Sequence, residues 1–174
     1  MDNEINGTEY GLEQFSQEPA GDLANKYLTF FVGEQIFSLP IRDVIEIVQM
    51  QNITPMPELP YYTKGIINMR GRVIPVIDVN LRFGKPEQPY TGRTCIIILD
   101  INDAQVGFIV DAVAEVLDIP PERISPPPAF ADRISNYVTG IGKCGESGSK
   151  IVLLLNSRLL ASDEDLSLFD SISM

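Results

Sequence analysis

The chain has 174 residues, with 24 Asp plus Glu against 13 Lys plus Arg, a formal net charge of -11, no His, no Trp and two Cys. Without histidine there is no Ser-His-Asp or Cys-His arrangement, no His-ligated zinc and no imidazole acid-base chemistry. The acidic balance and the scattered basic residues argue against nucleic acid and anionic membrane surfaces as partners.

Residues 1–25 hold six acids and no base, with little periodicity, and read as a disordered acidic leader. Four more acids lie in 163–170; without those ten, 14 acids remain against 13 bases, so the body between the tails is nearly neutral. The N-terminus lacks the basic and apolar regions of a signal peptide, and runs such as Ile151 to Leu155 are too short to span a bilayer. A cytoplasmic protein is expected. Cys95 sits in an apolar run and Cys144 in a Gly-rich turn, a spacing that suits small hydrophobes better than a redox pair.

From Lys26 the chain reads as short β-branched and aromatic runs broken by turn formers, as expected of an all-β domain. Strands are predicted over 27–32, 35–39 and 43–49, the first two joined by a tight turn at Gly33-Glu34. Pro55, Pro57 and Pro60 bar regular structure until a second hairpin, 65–70 and 72–79, turns at Gly71. Five more strands then follow in the same order, over 94–101, 105–110, 112–119, 137–143 and 150–156.

The two halves repeat each other. Ile41 to Val48 lies over Val110 to Leu117, Ile53-Thr54-Pro55 answers Ile124-Ser125-Pro126, Gly65-Ile66 answers Gly140-Ile141, and Ile74 to Asp78 answers Val152 to Asn156. The expected architecture is two copies of a small five-stranded β-barrel, one over 26–79 and one over 80–156. A barrel of that size buries only about 60% of its chain's surface, so the two should pack together. The tail, 157–174, suits a short helix or pair of turns with Ser162 as N-cap and Leu159, Leu166 and Phe169 facing inward.

Gly140-Ile141-Gly142-Lys143-Cys144-Gly145 matches GxGxxG, but a strand-like run follows where a dinucleotide site needs a helix, so a glycine-rich hairpin is expected. Asp100-Ile101-Asn102-Asp103 lacks the rest of a calcium loop and reads as a turn. No catalytic, cofactor-binding or metal-ligating constellation stands out. On the strand near 43–49, alternation with Ile45 and Ile47 inward would leave Val44 and Val48 outside beside Glu46, an aliphatic stripe fit for docking. Arg70, beside the turn at Gly71, is placed to pair with Glu46.

Lys64-Gly65-Ile66-Ile67-Asn68-Met69-Arg70-Gly71 followed by Ile74-Pro75-Val76-Ile77-Asp78, with Val110-Asp111, Val113 to Leu117, Pro126 to Phe130 and Tyr137 to Gly142 downstream, resembles the CheW family of bacterial chemotaxis coupling proteins. The likeness runs from about Lys26 to Phe169. It implies a non-enzymatic all-β adaptor, without cofactor, built from two SH3-like five-stranded β-barrels, that bridges transmembrane chemoreceptors and the chemotaxis histidine kinase and is recruited from the cytoplasm to receptor arrays. The receptor-tip contact of the family maps onto Val44, Glu46, Arg70, Cys95 and Val116, with Cys95 standing where an aliphatic residue is usual. The kinase contact maps onto Gly65 and Val73. Competing readings are a coupler for a different motility pathway, a small-molecule binder using the groove between barrels, and a self-associating structural protein.

Overall fold

The computed structural model describes residues 23–127 and 133–173. Most of the expected acidic leader and the 128–130 part of the proline-rich stretch lie outside the described residues.

Strands β1 (Lys26–Val32) and β2 (Gln35–Pro40) form the first hairpin, turning at Gly33 with φ +65°. A 3-10 turn, Ile41–Asp43, leads into β3 (Val44–Gln49), so the expected strand starts after Asp43 rather than at it. β4 (Thr63–Met69) and β5 (Arg72–Asp78) turn at Arg70 and Gly71, whose φ values of +54° and +85° are the pair that a two-residue hairpin turn demands. Helix α1 (Val79–Arg82) follows, capped by the Asp78 carboxylate, which accepts from the Leu81 N–H. β6 (Cys95–Ile101) and β7 (Ala104–Val110) turn at Asn102 and Asp103, β8 (Ala112–Asp118) follows after one residue, and the short β9 (Ile124–Ser125) precedes the hairpin of β10 (Val138–Cys144) and β11 (Lys150–Leu155). The glycine-rich segment is thus a hairpin, and Asp100 to Asp103 is a turn in which the Asp103 N–H donates to the Asp100 carboxylate at 2.9 Å.

The tail forms α2 (Ser157–Leu160), capped by Asn156, and α3 (Asp163–Ser173). Ser162 caps α3 as expected: the Asp165 N–H donates to its Oγ, and its own N–H donates back to the Asp165 carboxylate. Phe169 is buried and Leu166 half-buried, but Leu159 is exposed and Leu160 fills the core instead. In so short a helix, residues one apart face about 100° apart, and Leu160 is the one turned toward the cluster between the barrels.

The strands form two sheets: β3-β6-β7-β5-β4, here barrel I, and β8-β1-β2-β11-β10-β9, here barrel II. This SH3-like pair matches the expected architecture, with β9 as an additional short strand. The sheets do not follow the sequence halves, however. Each half lends its first hairpin to the other half's sheet. The β1–β2 hairpin pairs with β8 and β11, while β6–β7 pairs with β3 and β5. The boundary between 26–79 and 80–156 therefore separates stretches of chain, not sheets. The repeat carries through in detail: β5–β7 and β2–β11 are the parallel pairs, and β4–β5 and β10–β11 are the hairpins beside them.

The exchange explains where the core sits. The largest apolar cluster lies between the barrels, with Leu28, Phe30, Phe37 and Leu39 from one exchanged hairpin against Ile97, Leu99, Val106 and Phe108 from the other. Ile67, Ile74, Val76, Ile96, Ile98 and Ile109 fill barrel I, and Ile119, Cys144 and Val152 fill barrel II. β6 is buried on both faces, which is why Ile96 to Leu99 runs apolar without alternation.

Candidate docking surface

β3 is an edge strand of barrel I and carries a bulge. Val44 pairs with Leu99 and Glu46 with the adjacent Ile98, leaving Ile45 as the extra residue. The bulge overturns simple alternation. Ile47 is buried as expected, but Ile45 is turned out to 41% exposure, while Val44 is half-buried against the inter-barrel cluster and Val48 half-buried against the core of barrel I.

Glu46 and Arg70 meet as expected. Arg70 Nη1 donates to Glu46 Oε1 at 3.0 Å and Nη2 to Oε2 at 3.4 Å, a two-pronged contact between the β4–β5 turn and the β3 edge. The turn is held by the Asn68 side chain, whose Oδ1 accepts from the Gly71 N–H at 2.9 Å. The Arg70 side chain stays 77% exposed, so the pair is worth about 0–1 kcal/mol to the fold and leaves the guanidinium open to a partner.

Cys95 opens β6, across from Gln49 and Val110, and Val116 lies on β8 across from Leu28. Both are half-buried, and both pack on the same inter-barrel cluster as Val44. Burial pushes the Cys95 thiol up to about 11, a backbone hydrogen bond at Val113 opposing it, so near neutral pH the group is an uncharged apolar surface. Val44, Cys95 and Val116 thus all pack on the inter-barrel cluster, Val44 and Cys95 at opposite ends of the β3–β6 pairing, and the Glu46–Arg70 pair lies on the barrel I edge.

Gly65 and Val73 lie on adjacent strands, but Gly65 pairs with Val76 whereas Val73 pairs with Asn68, so they are not neighbours. Val73 is exposed. Gly65 is buried with φ +145°, and a Cβ there would stand 2.1 Å from the Thr54 carbonyl oxygen. It shapes the hairpin and presents no side chain.

Two features escaped the sequence reading: exposed Ile45, and a second ion pair, Lys150 Nζ to Glu115 Oε2 at 2.7 Å, which ties the β10–β11 hairpin to the β8 edge. The internal alignment that places Glu46 over Glu115 was the signal for the latter. Among the described residues, no group of three or more Cys, Asp or Glu is placed to hold a metal ion, and no helix is long and apolar enough to cross a membrane.

Residues 26–165 match the CheW-like domain family. The chain belongs to that family. It is 30% identical over 164 residues to the chemotaxis protein CheW of Klebsiella aerogenes, covering 94% of this chain and 97% of that protein. A probable chemotaxis protein CheW of Rhizobium etli is 41% identical over 116 residues, covering 66% of this chain and 74% of that protein. The crystal structure of the scaffolding protein TtCheW from Thermoanaerobacter tengcongensis superposes with a TM-score of 0.73 at 36% identity, covering 81% of this chain and 94% of that one. The CheW-like fold here is thus that of a chemotaxis scaffold.

Proposed function

We propose that this CheW-like chain couples transmembrane chemoreceptors, the methyl-accepting chemotaxis proteins, to the chemotaxis histidine kinase. The receptor tip, a helical hairpin, docks where the barrels meet, on Val44, Cys95 and Val116, with Arg70 and Glu46 as the charged rim. The regulatory domain of the kinase docks on the β4–β5 hairpin of barrel I, where Val73 supplies apolar contact and Gly65 sets the backbone. No step of this role needs catalysis. The protein works from the cytoplasmic side, recruited to membrane-associated arrays by these contacts. Each contact of this kind buries about 1,000 Å² and is weak alone, and multivalency in an array reinforces it.

The observation that carries the reading is the Arg70–Glu46 pair: an exposed guanidinium held in place beside half-buried aliphatic side chains on an edge strand. An Arg that loses water against a partner is worth about 1.4 kcal/mol or more, which is about a tenfold change in affinity. The test is reconstitution with cognate receptor and kinase, comparing the native chain with Arg70→Ala and Val44→Asp. Folded variants with receptor binding weakened about tenfold or more and impaired kinase control are expected. Folded variants that support full receptor control would refute the assignment.

A further inference from the structure

The outward face of barrel II carries a row that the receptor–kinase reading does not use. β9 runs antiparallel to β10 with Ile124 across from Gly142; Arg123 ends the 3-10 turn Pro121–Arg123 just before Ile124, and Lys143, next after Gly142, is across from Ile151 on β11. Arg123, Lys143 and Ile151 are all exposed, Ile151 to 47%. The one lysine of this hairpin that has a carboxylate partner is Lys150, bound to Glu115. Glu122 and Glu146 flank the row, yet among the described residues neither Arg123 nor Lys143 has a carboxylate within 4.0 Å. Two unengaged cations and an exposed isoleucine in one row form a surface for an acidic segment with some apolar content.

Such a segment belongs to this chain. Residues 1–22 contain Asp2, Glu4, Glu9, Glu13, Glu18 and Asp22, no Lys or Arg, and the apolar side chains of Tyr10, Leu12 and Phe15. Their attachment point is fixed: Leu23 packs on the inter-barrel cluster, and the Asn25 carbonyl accepts from the Ile119 N–H at 2.8 Å. Ile119 lies against β10, its Cγ2 3.2 Å from where a Cβ on Gly142 would stand, one residue from Lys143. A stretch of 22 residues can extend about 70 Å, enough to cross the face of a small barrel, and the entropy of closing the loop grows only with the logarithm of its length. We propose that the acidic segment 1–22 docks in cis across the Arg123–Lys143–Ile151 row, its carboxylates against the two cations and its apolar side chains on Ile151.

The surface covered is on barrel II, on other strands than the Arg70–Glu46 edge of barrel I, so the proposal is tested independently of the receptor–kinase reading. Zero-length carbodiimide cross-linking of the full chain, followed by peptide mapping of the monomer fraction, tests it. Amide links from Glu9, Glu13 or Glu18 to Lys143 are expected, with several-fold lower yield near 1 M salt, where the screening length is about 3 Å. The same fall is expected in Arg123→Glu, an exposed change that keeps Lys143 as reporter and whose fold circular dichroism checks. Links that form only between chains would assign the row to a second copy and overturn the proposal. So would links distributed equally to Lys64 and Lys85, links that survive both salt and Arg123→Glu, or no links at all.

Discussion

Barrel I and barrel II are two solutions to one strand pattern, and their differences show which features the fold needs. Both close an edge strand onto a hairpin with an ion pair, Glu46–Arg70 in one and Glu115–Lys150 in the other. Both bulge beside that acid, between Val44 and Glu46 on β3 and opposite Leu28 to Phe30 on β8. Both also cap a one-turn helix with the residue that ends the hairpin, Asp78 or Asn156. The pair is therefore a device of the architecture itself. What differs is exposure: the bulge residue of barrel I is a protruding isoleucine, whereas the outward isoleucine of barrel II sits on β11 among cations. Shared features serve closure, a duty that leaves the exposed Arg70 guanidinium open to a partner as well, and divergent ones add the contrast on which a partner can discriminate.

The largest effect should come from separating the halves. Each sheet takes strands from both, so residues 23–93 and 94–173 expressed alone should fail to fold, and mixed together should recover the native circular dichroism spectrum. A half that folds by itself, with a cooperative melt, would show that the exchange is dispensable.

Next in size is a pair of glycines at matched positions. Gly65→Ala meets the Thr54 carbonyl oxygen at 2.1 Å from a backbone at φ +145°, whereas Gly140→Ala meets the Ile124 Cγ2 at 3.0 Å. Urea melts should show a loss of about 3 kcal/mol or more for the first and about 1 kcal/mol for the second. Equal losses would mean that the Thr54 loop backbone yields as readily as a side chain.

The capping residues give a smaller, pH-dependent contrast. Burial raises the Asp78 carboxyl above its ordinary 3.8, against the lowering effect of hydrogen bonds from Tyr90 and Leu81. The folded state then holds that proton more tightly than the unfolded chain. The stability it contributes is complete below about pH 3.8 and is lost as pH rises through the raised folded value. Relative to Asp78→Asn, which mimics barrel II, the native protein should lose Tm as pH climbs from about 4; parallel curves would show that the carboxyl titrates normally. Smallest of all, Arg70→Ala and Lys150→Ala should each cost about 0–1 kcal/mol in the same melts, although only Arg70→Ala is expected to weaken receptor binding.

Much of this was legible in the chain. Gly33, Gly71 and Asn102-Asp103 announce turns because few other residues take positive φ, and Ser162 with Asp165 announces a helix start. The Glu46–Arg70 pair followed from a turn and an edge strand with opposite charges. The hairpin exchange was not legible, since β7 against β5 and β2 against β11 are pairings between distant segments that periodicity cannot rank. The outward turn of Ile45 was hidden for a related reason: a bulge adds one residue without any compositional mark. Gly65 was singled out through the family likeness, and its physical reason, the approach of Thr54, lies in a loop that proline spacing describes only as irregular.

Only Asp111 separates β7 in barrel I from β8 in barrel II. Its N–H donates to the Phe31 carbonyl, while its carboxylate accepts from the Gly33 N–H at 2.6 Å and from Asn80 Nδ2 at 2.9 Å. A crossing so short and so firmly anchored has no slack with which to act as a joint. At this crossing the two barrels are tied as one piece, so a push on either one is borne by both.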